Sequence, residues 1–130
     1  MNDGRVVGQL RGVFVCGPLA GRQARTMLQD VTPQLSPGEI DIASLVVTEL
    51  VTNAVRHGCE GSAGEIVVGL SREAGRLRIE VAQPGPLFDL DEVRLRHPGQ
   101  GRGWGVLLLD ELTQAWGVDA AGVWAEIAAH

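Results

Sequence analysis

The chain has 130 residues, a formal net charge of -5 and 45% hydrophobic residues, which predicts one globular domain over residues 1–130 rather than a disordered or fibrous chain. All 11 basic residues are Arg; without Lys the chain cannot build a Walker-type P-loop, the lysine of protein kinases, a Schiff base or a pyridoxal site, so any phosphate must be held by Arg, backbone N–H groups or a metal ion. The charges are spread evenly, 5 Arg against 7 acids in residues 1–65 and 6 against 9 in the remainder, which argues against general nucleic-acid or anionic-membrane binding, since both want a basic surface.

The opening MNDGRVVGQL lacks the basic flank and apolar core of a signal peptide. No apolar run approaches the ~18 residues that suggest a membrane span. The expectation is a cytoplasmic protein with no membrane association. Residues Leu10 to Cys16 read as a strand with Val13, Phe14 and Val15 at its centre. Cys16 and Cys59 lie far apart with no Cys-x-x-Cys spacing and read as free thiols. From Leu19 to Val31 the apolar residues Ala20, Ala24, Met27, Leu28 and Val31 keep helical spacing, and Thr32-Pro33 ends the helix because proline disfavours a helical residue before it. Ser36-Pro37 opens a second helix, with Ser36 as cap and Glu39 where a capping box wants it. Ile42, Leu45, Val46, Leu50 and Ala54 form its apolar stripe, and it ends near His57-Gly58.

Ile66, Val68 and Leu70 alternate, as do Leu77, Ile79 and Val81, with Glu73-Ala74-Gly75 between them, which predicts a β-hairpin. A loop rich in Pro, Gly and Asp runs from Gln83 to about Asp91, and a glycine-rich loop from Pro98 to Gly105. Val106 to Trp116 reads as a helix and Val123 to Ile127 as a last strand. The order β-α-α-β-β-loop-α-β implies a two-layer α+β sandwich, with helices on one face of a mixed, mostly antiparallel sheet. Trp104, Trp116 and Trp124 read as packing residues, His57 as a helix-end residue favoured by the dipole, and Asp110 and Glu111 as a solvated face.

Three segments carry chemistry. In Glu49-Leu50-Val51-Thr52-Asn53-Ala54-Val55-Arg56-His57, the Glu49 carboxylate and the Asn53 amide are four residues apart and project from one helix face. One turn apart, these oxygens suit a hard cation such as Mg²⁺, and the carboxylate can orient a nucleophile; the same spacing also describes a solvated Glu–Asn pair on an ordinary helix. In Gly101-Arg102-Gly103-Trp104-Gly105, a glycine-rich turn entering a helix offers backbone N–H groups and a positive dipole end to phosphate, with Arg102 as a forked cation; a solvated loop is the other reading. The third segment, Gln83-Pro84-Gly85-Pro86-Leu87-Phe88-Asp89, follows a strand and alone says only that a rigid loop begins.

Together and in this order the three segments resemble the Bergerat-fold ATPases, the group of gyrase-type and histidine-kinase-type nucleotide-binding domains, and within them the stand-alone anti-sigma-factor serine kinases. The resemblance spans about residues 10–128 and rests on the E-L-x-x-N-A-x-x-H helix and the G-R-G-x-G run. It implies an ATP-binding regulatory protein that takes Mg²⁺ at Asn53 and uses Glu49 as the catalytic residue that polarises an attacking hydroxyl or water. It also implies a phosphate contact from Arg56, a lid built on Gly101, Arg102, Gly103 and Gly105, and base recognition by Gln83 and Gly85. The implied partner is a sigma factor or an antagonist of the anti-sigma type, with self-association into a homodimer left open.

The sequence departs from that family in the third segment, usually D-x-G-x-G-F-D, where Gln83 stands for the adenine-binding Asp and Leu87 for the second glycine. A neutral hydrogen bond is worth roughly 0.5–1.5 kcal/mol against about 1.5–3 for a charge-assisted one, so the exchange costs on the order of tenfold in affinity. The Gln83 amide can accept from the adenine amine while donating to N1, or, flipped, address a guanine edge. Two functions of different class follow: an ATP-dependent kinase acting on a partner's Ser or Thr, and a degenerate domain kept as a protein-binding module.

Overall fold

The computed structural model describes residues 8–30, 36–59, 64–73, 75–84, 109–120 and 122–128. In chain order these form strand β1 (Gly8–Val15), helices α1 (Ala20–Asp30) and α2 (Pro37–Gly58), and strands β2 (Glu65–Glu73), β3 (Arg76–Ala82), β4 (Ala115–Asp119) and β5 (Gly122–Ala128). The strands make one sheet in the order β1-β2-β3-β5-β4, and all four pairings are antiparallel. Both helices lie on one face, α1 against β1 and α2, and α2 against β2, β3 and β5. The α+β two-layer sandwich read from the sequence is therefore the observed architecture, with a sheet that is wholly antiparallel among the described residues.

Period decides which side chains meet. Ile66, Val68 and Leu70 from β2, Leu77, Ile79 and Val81 from β3, and Val123, Ala125 and Ile127 from β5 are buried at every second position. They pack against Ala20, Ala24 and Leu28 of α1, spaced by four, and against Ala43, Val46, Val47, Leu50, Val51 and Ala54 of α2. Each fully buried aliphatic side chain contributes roughly 1.5–3 kcal/mol. The predicted stripe of α2 is displaced at its start, because Ile42 and Leu45 are 37% and 50% exposed while Ala43 and Val47 are buried. The burial of Val46, Leu50 and Ala54 fixes the rotation of the helix and turns Ile42 and Leu45 away from the sheet.

The capping box at the head of α2 forms as the sequence predicts. Glu39 N donates to Ser36 Oγ at 3.2 Å and Ser36 N donates to Glu39 Oε1 at 2.8 Å, which satisfies two of the four orphan N–H groups of a helix start. The β2–β3 hairpin turns at Gly75, whose φ of 81° lies in the left-handed region that favours glycine.

Two further sequence expectations are corrected. The helix predicted over Val106–Trp116 is helical among the described residues only over 109–112, and Ala115–Asp119 is strand β4. Leu109, Leu112 and Trp116 keep helical spacing, yet Trp116 and Val118 also alternate and pair with Ala125 and Val123 on the core side of β5. Thr113 closes the helix by donating Oγ1 to the Leu109 carbonyl at 2.6 Å, and Gln114 N passes to the Glu126 carbonyl at 2.8 Å. The second correction concerns the thiols: Cys16 and Cys59 are joined in a disulfide, with Cα atoms 5.6 Å apart. Separation along the chain hid their meeting, since Cys16 follows β1 and Cys59 caps α2, and both elements finish at the same end of the sheet.

Candidate functional site

The strand register places the candidate residues at one end of the sandwich. Val15 pairs with Glu65, so β1 ends where β2 begins. Val67 pairs with Ala82, which brings the end of β3 to that same end, and Val81 pairs with Val123 near the start of β5. The Cys16–Cys59 bond ties the C-terminus of α2 there as well. Asn53 and Arg56, in the last two turns of α2, thus lie at the end of the sheet from which Gln83 leaves β3. The helix pattern and the antiparallel register together produce this juxtaposition, for α2 crosses the sheet once and β3 returns toward its end.

Glu49 and Asn53 are both half-buried and one turn apart on α2, beside the buried Leu50 and Ala54. Among the described residues neither side chain has a hydrogen-bond or ion-pair partner. Arg56 is exposed and has a partner, and Gln83 is half-buried, directly beyond the last residue of β3, and also partnered. Gly85, Gly101, Arg102, Gly103 and Gly105, together with Leu87, Phe88 and Asp89, lie outside the described residues. So do the side chain of His57 and Trp104.

The donor chemistry fits Mg²⁺. Glu49 and Asn53 offer only oxygen, the donor that this ion takes, and they offer few enough atoms to leave most of an octahedron to water and phosphate, as Mg²⁺ prefers. Among the described residues no group of three or more His, Cys, Asp and Glu gathers to hold a metal. No helix among the described residues is long and apolar enough to cross a bilayer.

The opposite face of the sheet carries a feature that sequence reasoning passed over. Arg78 lies 4.7 Å from the Trp124 ring centroid and pairs with Glu80 and Glu126 at 3.0 Å each. Partial burial opposes the Arg78 charge, but hydrogen bonds to Glu80 and Glu126 and their charges outweigh it and hold the guanidinium above its ordinary value. The signal was present in the strand pattern, as Arg76, Arg78 and Glu80 alternate with the buried Leu77, Ile79 and Val81. A cavity of about 420 Å³ on this face is lined by Arg11, Ser71, Glu80, Asp119 and Trp124. It includes none of the residues singled out for nucleotide chemistry. Trp124, read as a packing residue, belongs to this open face, while Trp116 packs on the core and donates Nε1 to Asp110 Oδ1 at 2.8 Å. Asp110, predicted to be a solvated residue, is exposed and anchors that ring.

Comparison with known families matches residues 18–127 to the histidine kinase-like ATPase domain, from the turn before α1 to the penultimate residue of β5. No curated protein matches the chain.

Proposed function

Because the chain belongs to the histidine kinase-like ATPase domain family, we propose that it is an ATP-binding regulatory protein that phosphorylates a Ser or Thr of a protein antagonist. The observation that carries the proposal is the Glu49–Asn53 pair, one turn apart and without a side-chain partner among the described residues, on the helix whose last turns reach the end of the sheet where Gln83 leaves β3.

In this proposal the Asn53 amide oxygen holds Mg²⁺, which when bound supplies charge neutralisation at the phosphates. Arg56 reaches the phosphates as a fixed cation, the part that lysine plays elsewhere. Glu49 accepts the proton of the attacking hydroxyl as it approaches the terminal phosphate, a general-base task that requires a carboxylate not already held by a structural partner. Gln83 accepts the exocyclic amine of adenine and donates to N1. Gly85 supports the base, and Gly101, Arg102, Gly103 and Gly105 close over the phosphates. The protein partner is a sigma factor or an anti-anti-sigma-like antagonist, the antagonist being the one phosphorylated, met in the cytoplasm, and a homodimer is the proposed assembly.

A second reading rests on Gln83. Its neutral amide where the family places Asp weakens base recognition, and a domain that has given up nucleotide would survive as a protein-binding module in the same regulatory switch.

Thermal melting separates the two. At about 100 times Kd a ligand stabilises by about 2.7 kcal/mol, so Mg-ATP raises Tm by roughly 10 °C in the first reading, and Asn53→Ala abolishes the shift. No shift at millimolar Mg-ATP sinks the kinase and leaves the binding module.

A further inference from the structure

We infer that the Cys16–Cys59 disulfide is a redox latch on the last turn of α2, the turn that carries Arg56. Its consequence for nucleotide rests on the function proposed above, but the latch itself does not.

Three observations lead there. First, the bond joins two elements far apart in the chain: Cys16 lies between β1 and α1, and Cys59 is the C-cap of α2, 43 residues later. Cys16 is also fastened to the sheet, because its N donates to the Gly64 carbonyl at 3.0 Å, just before β2. Second, the bond sits on the C-cap residue itself, Cys59, next to the last carbonyls of α2, which have no partner within the helix, so the covalent link restrains the turn most prone to fray. Third, the two residues differ in exposure: Cys59 is 8% exposed and lies in the core, while Cys16 is half-buried at its margin. An incoming thiolate therefore meets Cys16 first.

The exchange balances with a dithiol reductant. Its thiolate attacks Cys16 Sγ, breaking the Sγ–Sγ bond and expelling the Cys59 thiolate, which takes up a proton. The second thiol of the reductant then attacks the mixed disulfide and releases Cys16, which is protonated in turn, while the reductant departs as a cyclic disulfide. Two electrons pass from the dithiol to the cystine, and a disulfide oxidant drives the reverse. With the bond open, the final turn of α2 loses its covalent tether and frays more readily, as helix ends do. Asn53 lies six residues, about 9 Å, from the latch, so the loosened turn includes Arg56 and borders the amide proposed to hold Mg²⁺.

Hydrogen exchange on the full chain, without nucleotide, tests this in oxidised protein and in protein treated with a dithiol reductant. Amides of residues 54–59 exchange at least tenfold faster after reduction, while those of β3 change less than threefold; Cys16→Ser reproduces the reduced pattern under oxidising conditions. Equal rates in residues 54–59 overturn the latch. So does a uniform acceleration of α2 and β3, which makes the bond a global staple, and so does a thiol titration that finds two free thiols at every glutathione ratio. Mg-ATP titrations of both forms then address the nucleotide reading separately: a weaker affinity after reduction extends the latch to the site, whereas no binding in either form removes the proposed function and leaves the exchange result to decide the latch.

Discussion

Gly122 opens β5 at the point where the β4–β5 hairpin joins the rest of the sheet, and replacing it with Ala tests that junction. Its φ of +151° is one that L side chains rarely adopt, and a Cβ there would overlap the Val81 carbonyl oxygen and stand 3.1 Å from Ala82 Cα. Backbone strain of this kind costs of order 1–3 kcal/mol. Relief by moving Val81 loosens the ladder beside the Val81–Val123 pair and adds roughly 0.5–1.5 kcal/mol for a lost hydrogen bond. The expected loss for Gly122→Ala is therefore about 2–4 kcal/mol, a large share of the 5–15 kcal/mol typical of a folded domain. At about 4 °C per kcal/mol for a chain of this length, Tm falls by roughly 8–16 °C in a calorimetric scan. Gly69→Ala is the matched control, since its Cβ enters open space at an ordinary φ, and Ala in a strand interior is favoured over Gly by roughly 0.5–1 kcal/mol. If the two variants melt within 3 °C of each other, the junction tolerates a side chain and the steric argument fails.

Other expectations follow the same logic. Ser36→Ala removes one half of the capping box on α2 and lowers stability by about 1 kcal/mol in denaturant titration; an unchanged midpoint would mean that Glu39 alone holds the helix start. Ser44 Oγ is buried without a hydrogen-bond partner among the described residues, so Ser44→Ala raises stability by about 1 kcal/mol through lost desolvation and better helix propensity, and a lower Tm would show that a buried water satisfies the hydroxyl. Gln83→Asp restores a charged acceptor and tightens Mg-ATP several-fold in calorimetric titration; equal or weaker binding would mean that the pocket is built around the amide or no longer takes a base.

What the sequence disclosed follows from how local each signal is. The capping box of α2 and the alternation of β2 and β3 are written within a few residues, and all appear as expected. The helix face shared by Glu49 and Asn53 is likewise a matter of spacing alone. The β4 strand escaped because five residues carry too short an alternation to outweigh the helical spacing of Leu109, Leu112 and Trp116. Ile42 and Leu45 were placed inward because periodicity defines a stripe without fixing its edge, which only the packed sheet decides. The disulfide needed the full topology, since no spacing rule brings residues 43 apart in the chain to a Cα separation of 5.6 Å. Gln83 was found through the family pattern, and its place beside the end of α2 through the strand register.

The strand order β1-β2-β3-β5-β4 also sets a timetable. During synthesis β3 is complete at Ala82, yet its second neighbour begins only at Gly122. At the usual ~5–20 residues per second that leaves one edge of the central strand uncovered for roughly 2–8 s. An open edge with alternating apolar residues invites pairing with another chain. Arg76 and Arg78, which later settle against Glu126 and Trp124, and Glu80, the partner of Arg78, line that strand with charge during the wait. The ion pairs of the finished sheet, each worth only about 0.2–1 kcal/mol, are thus the remnant of a guard against the wrong partner strand.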